Sequence, residues 1–182
     1  MITDAIKKEF RKAAGKGWDK IYVFVDLHET IMKADYQADN PTVEYYPYAK
    51  ELLQHLSDRK DVCLSIWTCS HPRQIEGYNE IFKSDGINFE FVNKNPEIKT
   101  DQMYGCYDDK PYYNILLDDK AGVIPEELGI ILKEFKNHSL VAEVSKVKQR
   151  GVDFPCEDCG ALEGSVLDNG WYRCNKCGYP GK

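Results

Sequence analysis

The chain has 182 residues, 42% hydrophobic and 30% charged, with a formal net charge of -6. That is globular composition, with room for one sizeable core and a small appendage. A pI near 5.3 argues against nucleic-acid binding driven by bulk electrostatics. No apolar run reaches the ~20 residues of a spanning helix and no signal-like leader opens the chain, so no membrane association is expected.

Ile2, Ile6, Phe10 and Ala13 recur at helical spacing, and Gly15 and Gly17 close the run. This predicts an amphipathic helix within residues 1–17 that docks on the core. The apolar run Ile21-Tyr-Val-Phe-Val25 reads as a buried strand that delivers Asp26 at its end, followed by His28 and Thr30. A polar, irregular stretch runs from Lys33 to Tyr46. Pro47 then opens a helix with Ala49, Leu52, Leu53 and Leu56 on one face. Cys63-Leu-Ser-Ile-Trp67 repeats the strand design and ends in Thr68. Pro72 starts the next helix, with Ile75, Tyr78, Ile81 and Phe82 inward and Gly86 as its stop. Asn88–Val92 is a short third strand. Asn114–Leu117 is the core of a fourth, ending in Asp118 and Asp119 with Lys110 upstream. Pro125 opens a helix through Leu128, Ile131, Leu132 and Phe135, and a last helical pattern (Leu140, Val144, Val147) runs to Gly151.

Strands alternating with helices predict an α/β domain over residues 1–150, built on a doubly wound parallel sheet. Ligands of such sheets bind beyond the carboxyl ends of the strands, at the point where strand order reverses. The strands carrying Asp26 and Asp118 are therefore expected to be neighbours if the two acids share a metal. Three strands that each end in polar residues at one edge gather carboxylates, a hydroxyl and an ammonium. That set suits phosphoryl transfer assisted by a divalent cation.

The motifs Asp26-Leu-His28-Glu-Thr30, Ile66-Trp-Thr68-Cys, Lys110-Pro and Leu117-Asp118-Asp119-Lys120 stand in this order. In them the chain resembles the haloacid dehalogenase (HAD) superfamily of aspartate-nucleophile phosphatases. The resemblance covers roughly residues 20–124 and implies a HAD-like Rossmannoid fold of the small, uncapped type. It implies that Asp26 attacks phosphorus to form an aspartyl phosphate. Mg²⁺ would be held by Asp26, Asp118, Asp119 and the His28 backbone carbonyl, with Asp118 as the direct carboxylate and Asp119 behind it. Thr68 would donate to a phosphate oxygen and Lys110 would neutralise charge, with Lys94 and Lys99 as substitutes. Thr30 would orient the loop.

His28 departs from the family pattern, which has Asp here to protonate the leaving group and later activate water. Imidazole can do both, with an unperturbed pKa near ~6.5. The other reading of this replacement is a protein of weak activity, or one reduced to binding. His71 is a residue of the site entrance or of the next helix's N-terminus.

Cys156-Glu-Asp-Cys159 and Cys174-Asn-Lys-Cys177 are separated by fourteen residues, with Gly160 and Gly178 just after each pair. Four soft thiolates at this spacing suit tetrahedral Zn²⁺, and Ser165–Leu167 with Trp171–Arg173 predict a hairpin around Asp168-Asn-Gly170. Residues 151–182 thus resemble a four-cysteine zinc ribbon, with too little core to fold without its metal. Two disulfides or a redox pair are the alternatives. The remaining cysteines (Cys63, Cys69, Cys106) carry no pairing pattern, which points to core packing and a reducing, cytoplasmic setting.

The sequence therefore predicts a Mg²⁺-dependent phosphomonoester hydrolase carrying structural zinc. Its substrate is phosphorylated and of open class. One rival is a HAD-fold binding or adaptor protein that recruits a protein partner through the ribbon. Another is a nucleic-acid end-processing phosphatase, with Trp171, Tyr172 and Tyr179 stacking on bases. The four basic and five acidic side chains between Arg150 and Lys182 weigh against that second rival.

Overall fold

The computed structural model describes residues 2–35, 41–102, 105–144, 164–166, 172–174 and 180–181, the last three stretches by their backbone. In chain order the elements are α1 (Ile2–Lys16), β1 (Ile21–Asp26), α2 (Ala49–Ser57), β2 (Val62–Trp67), α3 (Pro72–Ser84) and β3 (Phe91–Val92). They continue with β4 (Asp101–Gln102), β5 (Gly105–Cys106), β6 (Ile115–Leu117), α4 (Leu128–Asn137), β7 (Gly164–Val166), β8 (Tyr172–Cys174) and β9 (Pro180–Gly181).

The main sheet has the order β3-β2-β1-β6, and every pairing in it is parallel. The central strand β1 is matched to β2 from Ile21↔Val62 to Asp26↔Trp67, and to β6 from Val23↔Ile115 to Val25↔Leu117. One step beyond that last pair stand Asp26, the last residue of β1, and Asp118, the first residue after β6. Chain order reverses between β1 and β6, so both acids flank the crevice where open α/β sheets bind ligands.

Helices α1 to α4 lie on one face of this sheet. Their buried residues (Phe10, Leu52, Leu53, Tyr78, Phe82, Ile131, Phe135) join one cluster with Ile21, Val23 and Val25 of β1 and Leu64 and Ile66 of β2. Fully burying an aliphatic side chain of this kind is worth about 1.5–3 kcal/mol, so the cluster fixes the strand ends that carry the site. The opposite face differs from the double winding expected of the sequence. There Tyr22 packs on Tyr112, and Phe24 packs on Trp67 and Tyr113. The connection from β3 to β6 supplies this cover, and it contains no helix among the described residues, only the antiparallel hairpin β4–β5.

Several boundaries shift for local reasons. Helix α1 runs through Gly15 and stops at Gly17, whose φ of 66° a helix cannot accept. Helix α2 starts at Ala49 rather than Pro47, because Tyr48 sits at φ 68° in the left-handed region. Pro125 opens a 3₁₀ turn, Pro125–Glu127, before α4 begins. The expected strand Asn88–Val92 shrinks to two residues. Residues 140–144 are helical, and the rest of the pattern up to Gly151 lies outside the described residues.

Strands β7 and β8 pair antiparallel in the register Gly164↔Cys174 to Val166↔Tyr172, one residue offset from the strands expected there; β9 adds a third strand, and the expected turn around Asp168-Asn-Gly170 lies outside the described residues. Cys156, Cys159, Cys177 and the side chain of Cys174 lie outside the described residues. Among the described residues no helix is long and apolar enough to cross a membrane.

Candidate active site

Asp26, Asp118 and Asp119 each offer a carboxylate oxygen such that the three lie within 4.8 Å of one another. Thr30 ties the two strand ends together. Its hydroxyl is fully buried, donates to Asp26 Oδ2 at 3.0 Å and accepts the Asp119 N–H at 2.9 Å. The side chain of Asp118 accepts the Lys120 N–H at 2.7 Å, capping the short 3₁₀ turn Asp119–Ala121. Burial pushes the Asp26 carboxyl up to about 6, and repulsion from Asp118 and Asp119 adds to it. Hydrogen bonds from Thr30 and the Leu27 N–H oppose the rise. Three acids held this close favour an opposite charge among them, and oxygen-only donors fit a hard divalent cation.

The chain between Asp26 and Thr30 curls tightly. Ile31 and Met32 both return their N–H groups to the Leu27 carbonyl, and Glu29 bonds Met32. Glu29 adopts φ 58°, a conformation costly for a residue with a Cβ, and strain of this kind collects at functional turns. Glu29 is held there by the Tyr46 hydroxyl at 2.8 Å and the Ala34 N–H at 3.0 Å.

His28 is half-buried in this curl. Its Nε2 lies 2.9 Å from the Tyr78 hydroxyl, which in turn donates to the Asp35 carbonyl at 3.2 Å. A carbonyl only accepts, so the Tyr78 oxygen is left to accept the Nε2–H of His28. Burial lowers the His28 pKa, against the pull of Asp35 and Glu29. In this arrangement Nε2 delivers its proton to a substrate only after the Tyr78 bond breaks.

Thr68 ends β2 almost fully buried, its hydroxyl 2.9 Å from that of Ser70. Asn93, to which the sequence alone assigns no role, clamps its backbone. The Asn93 Oδ1 accepts the Thr68 N–H at 2.7 Å, and Nδ2 donates to the Thr68 carbonyl at 2.6 Å. Asn93 reaches back this way because its backbone sits at φ 53°, which Asn tolerates better than most residues. The signal for it was the Asn-Lys-Asn-Pro turn chemistry directly after β3.

These groups line a cleft of about 860 Å³. Asp26, His28, Thr68, Asp118 and Asp119 all face it; Lys110 does not. Lys110 is exposed on the bend after the hairpin, where spacing along the chain does not set its direction. The lysines of the lining are Lys94 and Lys120, and Lys120 is ion-paired with Asp119. His71 combines its two sequence readings. It is the N-cap residue of α3, its N–H bonded to Gln74 Oε1 at 3.1 Å, and it lines the cleft. Of the unpaired cysteines, Cys63 is buried, with its thiol pushed up to about 12 by that burial, whereas Cys69 and Cys106 are exposed rather than core.

No protein-family model and no curated protein matches the chain. A solved structure titled as that of a conserved protein coded by a locus of Bacteroides thetaiotaomicron is similar in fold. It is 24% identical, spans 69% of this chain and 97% of its own, and has a TM-score of 0.50. The likeness shows the α/β fold alone and leaves the chemistry to be argued from the cleft.

Proposed function

We propose that the protein is a Mg²⁺-dependent phosphohydrolase of the HAD type that cleaves a phosphomonoester through an aspartyl phosphate on Asp26. The observation that carries this reading is the carboxylate trio, Asp26 beside Asp118 and Asp119, at the carboxyl ends of adjacent parallel strands. Asp26, Asp118 and Asp119 would hold the cation, which when bound offsets charge on the phosphoryl oxygens.

An Asp26 oxygen attacks phosphorus and the ester oxygen departs with the bonding pair, accepting a proton. Water then attacks the aspartyl phosphate, loses its proton and restores the carboxylate with release of phosphate. Thr68 would donate its hydroxyl to a phosphate oxygen, and Asn93 holds the backbone from which it would do so. Lys94 and Lys120 take the charge-balancing part first given to Lys110. His28 is the acid and base, and its lowered pKa suits activating water better than protonating the leaving group.

Residues 151–182 complete the reading as a zinc ribbon held by Cys156, Cys159, Cys174 and Cys177. The antiparallel β7–β8 pair, with Cys174 at its end, supports it.

Hydrolysis of an aryl phosphate with and without Mg²⁺, by wild type and Asp26→Asn, tests the enzyme reading. Turnover should require both the metal and Asp26, and wild-type rates in the variant would refute it. The binding-protein reading draws on one observation, the engagement of His28 Nε2 by Tyr78. It becomes the better one if wild type is inactive and His28→Asp is active.

A further inference from the structure

One wall of the cleft comes from residues of the stretch 93–113, where two acids stand against a single lining cation, Lys94. Asp108 and Asp109 both line the cleft. Asp108 accepts only the Cys106 thiol at 3.4 Å, and neither acid pairs with a cation among the described residues. Behind them stands an independent observation. Asn95 lines the same cleft at 8% exposure, and its Oδ1 is buried without a partner. The orientation of that amide is fixed, because Nδ2 donates to the Tyr112 carbonyl at 2.8 Å, and a carbonyl takes only the NH₂ side. An orphaned acceptor just beneath the lining of a cleft gains from a donor that the ligand brings to it.

Two aromatic rings complete the wall, Trp67 and Tyr107. Tyr107 is anchored by its N–H to the Thr100 carbonyl at 2.6 Å and by an edge contact with Tyr112. A Cβ at Gly105 would come within 3.2 Å of its ring, so glycine there leaves the ring its place. Carboxylates, an acceptor oxygen and aromatic faces together suit an ammonium group. They repel a second anion.

We propose that this wall selects phosphomonoesters whose alcohol carries an ammonium group, the amino-alcohol phosphates. Asp108 and Asp109 oppose the ammonium charge, Tyr107 and Trp67 flank it, and Asn95 Oδ1 accepts one of its N–H bonds. The proposal rests on the phosphohydrolase reading of the carboxylate trio. It also turns carboxylated phosphates into poor substrates, since their second anion would meet these acids.

The test compares kcat/KM, with Mg²⁺, for three esters of similar size: O-phosphoethanolamine, 2-hydroxyethyl phosphate and phosphoglycolate. The ammonium ester should lead the neutral one by about tenfold and the carboxylate ester by more, the scale of one or two partly exposed charge pairs. Asp108→Asn combined with Asp109→Asn should bring the ammonium-to-carboxylate ratio toward unity. Equal rates for the three esters, a lead for phosphoglycolate, or an unchanged ratio in the double variant overturns the proposal. If Asp26-dependent hydrolysis of an aryl phosphate is present but none of the three esters is cleaved, the selectivity fails and the parent reading stands. Where even the aryl phosphate is untouched, the parent reading fails, and calorimetry of the same three compounds with Mg²⁺ decides. Preferential binding of O-phosphoethanolamine sustains the selectivity, and its absence overturns it.

Discussion

Replacing Thr30 by Val removes one oxygen and hardly changes shape, so it isolates the hydroxyl that joins the two halves of the carboxylate site. Two hydrogen bonds go with it: the donation to Asp26 Oδ2 and the acceptance of the Asp119 N–H. A bond to a charged group is worth about 1.5–3 kcal/mol and a neutral one about 1 kcal/mol. Asp26 and Asp119 are partly exposed, so water recovers some of this, and a net loss of about 1–2 kcal/mol of stability is expected. The Thr30 bond is also the largest influence holding the Asp26 pKa down, so in Thr30→Val that carboxyl should titrate above its present value of about 6. Mg²⁺ must then displace a proton over a wider pH range, and affinity near neutrality should fall. Denaturant unfolding of the full chain gives the first quantity, and calorimetric Mg²⁺ titration at several pH values gives the second. Thr30→Ser keeps the hydroxyl and should stay close to wild type. A Thr30→Val protein with wild-type stability and Mg²⁺ affinity would refute the bridging role.

Asp26→Asn should stabilise the metal-free protein at neutral pH. A carboxyl whose native pKa is raised favours folding when protonated, so wild type loses stability as pH rises through the window from about 4 to about 6. The variant's advantage should accordingly vanish toward pH 4 and reverse at neutral pH when Mg²⁺ is added, as thermal unfolding would show. His28→Ala should slow alkyl phosphates about 10²–10⁴-fold and aryl phosphates less, since aryl esters need little leaving-group protonation but share the step in which water is activated; wild-type rates on both would make His28 a structural replacement. Asn93→Ala should leave Thr68 without its two backbone partners and lower kcat more than it raises KM, measured on an aryl phosphate. Elemental analysis should find one zinc per chain, lost in Cys174→Ser with the α/β domain still folded; four readily alkylated thiols without metal would count against the ribbon.

The edge that carries the site was readable because it is written in short apolar runs. Ile21–Val25 and Cys63–Trp67 each end in the polar residue that emerges from the sheet, and Leu117 is followed at once by Asp118. A parallel sheet buried on both faces imposes that pattern on its strands. Residues 93–113 impose none. Their cover of the second face depends on Tyr112 and Tyr113 folding back onto Tyr22 and Phe24, a contact with no period to find. The same holds for Asn93, whose clamp follows from one positive φ, and for Asn95, whose orphaned oxygen is a property of its surroundings. Lys110 was expected in the cleft from its position in a motif order, yet a long side chain on an exposed bend points where solvent draws it, and Lys94 and Lys120 line the cleft instead.

The central claim is that Asp26 becomes covalently phosphorylated. A single-turnover reaction with a radiolabelled aryl phosphate and Mg²⁺, quenched in acid within milliseconds to seconds, reads this directly. Label should stay on the wild-type chain, map to the peptide containing Asp26, and be absent from Asp26→Asn. Turnover by wild type with no acid-stable label at any quench time, or label of equal amount in Asp26→Asn, would contradict the account.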